Sequence, residues 1–165
     1  IPYPSIPDIG FFGTIPFYIY AAYLLAKSSG AKISLQSFRN RLQAIFIPLF
    51  MLSVAYFLFL QGYEFDWSSP LTIFLDFGYP MGQAMYIAIA ILTYSLTRKM
   101  LGGIMRFPIL FLIFAFFVQF LSDYTYVFFK EVYYPGSFID YLYLLAYFIM
   151  TLGLIKLKVV ADELR

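Results

Sequence analysis

Five long apolar runs separated by short polar gaps organise this chain of 165 residues. About 20 predominantly apolar residues span a bilayer core of roughly 30 Å. Runs of this order predict five membrane helices: Ile9 to Ala26, Gln43 to Gln61, about Tyr79 to Thr97 with an apolar lead-in from Leu71, Phe107 to Phe129, and Ile139 to Leu157. The expected fold class is all-α, a polytopic transmembrane helix bundle forming one integral-membrane domain over residues 1–165. Local signals fit these borders. Pro108 falls in the first turn of the fourth run, where a missing N–H costs nothing, and Ser28-Ser29-Gly30 and Gly102-Gly103 punctuate turns. Pro16, Pro48 and Pro80 lie inside or near the start of runs, which membrane helices tolerate when neighbours re-satisfy the freed carbonyls.

Charge adds an orientation. The gap after the first run carries Lys27, Lys32, Arg39 and Arg41, the gap after the third carries Arg98, Lys99 and Arg106, and the tail carries Lys156, Lys158 and Arg165. Of the eleven Lys and Arg, only Lys130 lies on the opposite side, whereas seven of the nine acidic residues lie on or toward it. The positive-inside rule then sets the N-terminus outside and the C-terminus inside after five crossings. Trp67, Tyr63, Tyr133, Tyr134 and Tyr3 fall at the outer boundary, as an interfacial aromatic belt requires.

Composition narrows the class further. With 62% hydrophobic and 12% charged residues, the chain has too little polar surface to cover a water-soluble globule of this length. An integral membrane location is expected, in a bacterial or archaeal plasma membrane, with the lipid bilayer as the first partner. No Cys means no disulfide framework, and the absence of both His and Cys argues against transition-metal chemistry. No carboxylate pair has the DDxxD or GxGD spacing of membrane enzymes, and no nucleophile can pair with a His. Lys27, Lys156 and Lys158 sit at helix ends, so retinal has no mid-membrane lysine, and no basic patch suits nucleic acid. Neither an enzyme nor a cofactor is expected.

Candidate chemistry lies in the polar residues these runs must hide. In the fourth run Ala115, Gln119, Ser122, Asp123 and Tyr126 recur at i, i+4, i+7, i+8 and i+11, on one face of a Phe, Leu and Ile helix. The fifth run repeats the arrangement with Asp140, Tyr143, Tyr147 and Thr151, and the third with Tyr79, Gln83, Tyr86, Ala90, Thr93 and Thr97. A carboxylate in the hydrocarbon core costs about 2.5 to 3.5 kcal/mol on insertion scales, so it usually faces a protein interior or a water-filled cavity. The candidate ligand-binding residues are Asp123, Gln119, Tyr126, Asp140, Tyr143, Asp76, Gln83 and Asp8, with the four carboxylates approaching one outer-leaflet cavity. Carboxylates grouped with tyrosine hydroxyls suit a proton, a hard cation or a small cationic ligand, and the Tyr faces could stack on it. Asp8 and Asp140 also stand where a helix N-terminus favours a cap, and Asp76 where a loop would solvate it.

The outer ends share a pattern: Tyr3-Pro4-Ser5-Ile6-Pro7-Asp8, then Leu75-Asp76-Phe77-Gly78-Tyr79-Pro80, then Tyr134-Pro135-Gly136 leading to Asp140. Together with Phe120-Leu121-Ser122-Asp123, this resembles the multi-helix membrane sensor regions that precede cyclic-di-GMP enzymes or histidine kinases in bacteria. The resemblance covers most of the chain and implies a transmembrane sensory or anchoring domain. In that role a ligand favours one packing of the bundle, and the last helix transmits it to a downstream cytoplasmic signalling domain, with a homodimer as a further expected assembly. Where the family's pattern has another Asp after the Tyr-Pro of the third helix, this chain has Gln83. The opening Ile1 fits further helices upstream, and Ile155 to Arg165, free of Gly and Pro, fits a helix running into a following domain. Two other classes remain open from the residues themselves: a small transporter or channel subunit with Gln119, Asp123 and the Tyr stripes lining a pathway, and a structural assembly subunit.

Overall fold

The computed structural model describes residues 4–29, 31, 35–97, 106–129 and 132–163, and every regular element among them is helical. Helix α1 spans Ile6–Ser28, and α2 spans Phe38–Ala55 before widening into a π-helical turn at Tyr56–Leu60. Helix α3 spans Pro70–Thr97, α4 spans Arg106–Phe129 and α5 spans Phe138–Glu163. Pro16, Pro48 and Pro80 all lie within helices, as the sequence predicts. The loops leaving α2 and entering α5 each use a glycine at positive φ, Gly62 at 78° and Gly136 at 86°, a region closed to most side chains.

Among the described residues, four helical segments are long and apolar enough to cross a membrane: Ile6–Ser28, Phe38–Leu60, Arg106–Tyr126 and Phe138–Val160. Helix α3 is not among them, so the count differs from the five spans expected. The physical reason is visible in its packing. Gln83, Ala84, Tyr86, Ile87, Ala88, Ala90, Thr93, Leu96 and Thr97 are all buried within the protein, so α3 can carry polar and small residues that a lipid-facing helix avoids. It is the central helix, packed against α1, α2 and α4, while α5 packs on α4.

Small residues set these approaches. Gly78 and Gly82 lie one turn apart on α3 and face α1. A Cβ at Gly78 would sit 2.5 Å from the Phe12 ring, and one at Gly82 would overlap the Ile15 side chain, so any larger residue would force these neighbours to shift. Gly153 of α5 likewise accommodates Leu112 of α4. The core runs through the contacts these permit: Ala22 and Leu25 of α1, Tyr86, Ile87 and Ala90 of α3, and Ile109, Leu112 and Phe116 of α4. A second cluster joins Ala115 and Val118 of α4 to Ala146 and Ile149 of α5.

The helices outrun the apolar runs that predict them. Helix α5 continues to Glu163 because Lys156, Lys158 and Glu163 are good helix formers and no Gly or Pro follows Gly153 within it. The lead-in from Leu71 belongs to the same continuous helix as Tyr79 to Thr97. Tyr3, Gly30, Lys32, Arg98, Lys99, Gly102, Gly103, Lys130 and Arg165 lie outside the described residues.

Candidate functional site

One end of the bundle gathers the start of α1, the end of α2, the first turns of α3, the end of α4 and the start of α5. The four candidate carboxylates all lie toward that end. Each accepts a hydrogen bond from a tyrosine, and no tyrosine serves two of them among the hydrogen bonds of the described residues.

Asp8 closes a capping box at the start of α1. The Ser5 N–H and the Ser5 hydroxyl each donate to its Oδ2 at 2.7 Å. Its Oδ1 lies 3.3 Å from the Tyr79 hydroxyl of α3, which also reaches the Asp8 carbonyl at 3.3 Å. Asp140 plays a similar part in α5: the Gly136 N–H donates to Oδ2 at 2.6 Å and the Tyr133 hydroxyl to Oδ1 at 3.0 Å. Asp76 accepts the Tyr63 hydroxyl at 2.7 Å, tying α3 to the loop before it. Bonding to these carboxylates holds the Tyr63 and Tyr133 hydroxyls above the usual tyrosine range, since ionising either would set two negative charges together.

Asp123 is the exception. It stands six residues before the end of α4, about 9 Å along the helix, where every nearby backbone N–H is already used inside the helix. Three side chains replace them. Gln119 Nε2 and the Tyr143 hydroxyl of α5 each donate to Oδ1 at 3.0 Å, and the Tyr86 hydroxyl of α3 donates to Oδ2 at 2.9 Å. Thus one carboxylate joins three helices. Beneath it Tyr18 of α1, Tyr86 and Phe116 form a ring cluster, with centroids 5.5 Å apart for Tyr18–Tyr86 and 5.9 Å for Phe116 with each tyrosine.

The four candidate carboxylates thus take different tyrosine partners. Among the described residues no three acidic side chains come together in a way that could hold a metal ion. Asp8 and Asp140 each spend one oxygen on a backbone N–H just before their own helix, Ser5 and Gly136, and the other on a tyrosine. Of the other candidates, Gln119 and Tyr143 reach Asp123, while Tyr126 is exposed and packs edge-on against Tyr133 at 5.2 Å. Gln83 is buried between the Tyr79 and Tyr86 levels of α3.

Two features escaped the sequence reading. Tyr86 was visible only as one member of a stripe, although its spacing from Tyr79 and Gln83 puts it on the same face. Tyr18 has Thr14 as its polar neighbour at helical spacing, too little to single it out within an aromatic run. A third feature is geometric: Gln119 is 3% exposed and its Oε1 has no hydrogen-bond partner. A buried acceptor left empty costs free energy. It stands on the amide whose other end touches Asp123.

No family model, curated protein or solved structure matches the chain.

Proposed function

We propose that this chain is the transmembrane sensory domain of a signalling protein. Its five helices cross a membrane with the acidic end outside and the basic end inside. The observation that carries this reading is the Asp123 carboxylate, held by donors on α3, α4 and α5 beside the unpartnered Gln119 acceptor. Binding a small cation or proton there changes how three helices are tied. Helix α5 carries the change to Lys156 and Lys158 at the basic end, where a signalling partner or an attached output domain reads it. Helix α3 crosses as an enclosed helix, which agrees with its burial by three neighbours.

A transport pathway is the weaker reading because the polar stripe does not continue as a lining. Thr93 and Thr97 donate to carbonyls of their own helix at 2.7 and 2.6 Å, and Ser122 donates to Val118 O at 2.8 Å. All three side chains are also buried among packed helices, so they line no open path.

The test uses protein reconstituted in liposomes with a fluorophore on Lys158→Cys, at the basic end. Changing pH or cation at the acidic side is expected to alter its emission with no accompanying flux. Flux would support a transporter instead, and a silent reporter would leave a structural anchor.

A further inference from the structure

Resting on the sensory reading, we propose that the ligand of the cluster is a single proton shared between Asp123 and Gln119, and that its arrival releases Tyr143 of α5. As an anion the carboxylate is well served: Oδ1 accepts from Gln119 Nε2 and Tyr143, and Oδ2 accepts from Tyr86. A protonated carboxyl has the opposite need. It must donate, and so it requires an acceptor.

The structure holds such an acceptor. Gln119 Oε1 is buried and without a partner, one turn before Asp123 on the same helix. The terminal torsion of a Gln side chain has a broad, two-fold profile. Half a rotation exchanges the amide N and O, so that Oε1 receives the new O–H from Oδ1. The proton on Oδ1 then forms one hydrogen bond, to Gln119 Oε1. At that oxygen the bond from Gln119 Nε2 is lost, and the one from Tyr143 now meets an acid O–H oxygen, a far poorer acceptor than a carboxylate, and is released. Tyr86 keeps its place on Oδ2, which becomes the carbonyl oxygen of the acid. The tie between α3 and α4 persists while α5 is let go.

The surroundings favour a proton over a metal ion. The titratable groups that face Asp123 are tyrosines on every helix around it: Tyr18 from α1, Tyr79 and Tyr86 from α3, Tyr124 on α4 itself and Tyr143 from α5. Asp8 connects to this group only through Tyr79. A metal ion would need three donor hydrogens turned away from the carboxylate, and the described residues bring no set of acidic ligands around one. A proton needs one acceptor.

The test exploits the absence of native cysteine. Leu71→Cys on α3 and Leu144→Cys on α5, both at exposed positions, carry spin labels in lipid nanodiscs. The distance between them is followed from alkaline to acid pH in this otherwise wild-type parent. It is expected to move between two values. Asp123→Asn, whose amide N–H donates to Gln119 Oε1 as the acid does, should hold the acid value at every pH. Gln119→Met, of similar length but lacking the acceptor, should hold the alkaline value, so the proposal stays testable if one variant fails to fold. An unchanged pH response in the variants overturns the proposal. A parent that responds to Na⁺ against choline at fixed pH, and not to pH, also overturns it while leaving the sensory reading standing. A parent that responds to neither overturns both.

Discussion

Asp140 and Asp123 are the same residue type, each on the polar stripe of its helix and each accepting a tyrosine hydroxyl at 3.0 Å. Their second oxygens part company. That of Asp140 takes the Gly136 N–H, four residues back along its own chain, whereas that of Asp123 takes Tyr86 from another helix. Position along the helix makes the difference. In the first turn of α5 the unpaired backbone donors are near, and the carboxylate organises its own segment. Deep in α4 there are none, so it must bind helices to one another. Asp8 follows Asp140, and Asp76, bonded to Tyr63 thirteen residues upstream, lies between the two cases.

The comparison can be broken by mutation, beginning with its strongest member. Asp123→Leu removes three hydrogen bonds, each worth about 0.6 kcal/mol in membrane proteins and up to about 1.7. A loss of about 2 kcal/mol is expected in detergent-driven unfolding from bicelles. A loss as small as that of an end carboxylate would show that Asp123 ties nothing together. Asp140→Ala should cost about 1 kcal/mol, the usual worth of an N-terminal cap. Protease sensitivity should then rise at 132–137 and not elsewhere. Asp8→Ala should cost about 0.5 kcal/mol, since Ser5 remains to cap α1; the helix content of residues 6–12, read by hydrogen exchange, is the measure.

The smallest effect is a titration. Bonding to Asp140 raises the Tyr133 hydroxyl above the ordinary tyrosine value of 10.0. The unfolded chain therefore ionises first. This contribution to stability is whole below pH about 10 and fades as pH climbs through the raised value. Absorbance titration should show Tyr63 and Tyr133 among the tyrosines that lag the exposed ones, and Tyr133→Phe should reduce the lagging group by one.

Much of the helix order was legible because apolar run length and bilayer thickness are matched quantities. The ends were less so: Phe38 to Leu42 and Val159 to Glu163 are helical through backbone bonding that hydrophobicity does not report. The role of Gly78 and Gly82 was hidden, since a glycine at helical spacing reads as a weak point until the facing Phe12 and Ile15 are known. Within the site, Gln119, Asp123 and Tyr143 could be read from the stripes of α4 and α5. That Asp8, Asp76 and Asp140 would each take a different tyrosine could not. A stripe records which face of a helix is polar, while a partner depends on which donor lies nearest in space.

The enclosure of α3 has a bearing on biogenesis. On the five-span reading, a segment emerging from the ribosome with Tyr79, Pro80, Gly82, Gln83 and Tyr86 in its middle is a poor candidate to partition into lipid by itself. It enters the bilayer as a late guest, admitted once α2 ahead of it or α4 behind it offers a protein surface in place of acyl chains. The centre of the finished bundle is then the part of the nascent chain most dependent on company. In a glycosylation-tag assay the segment 70–97 alone should translocate more often than it inserts, and it should insert when α4 follows.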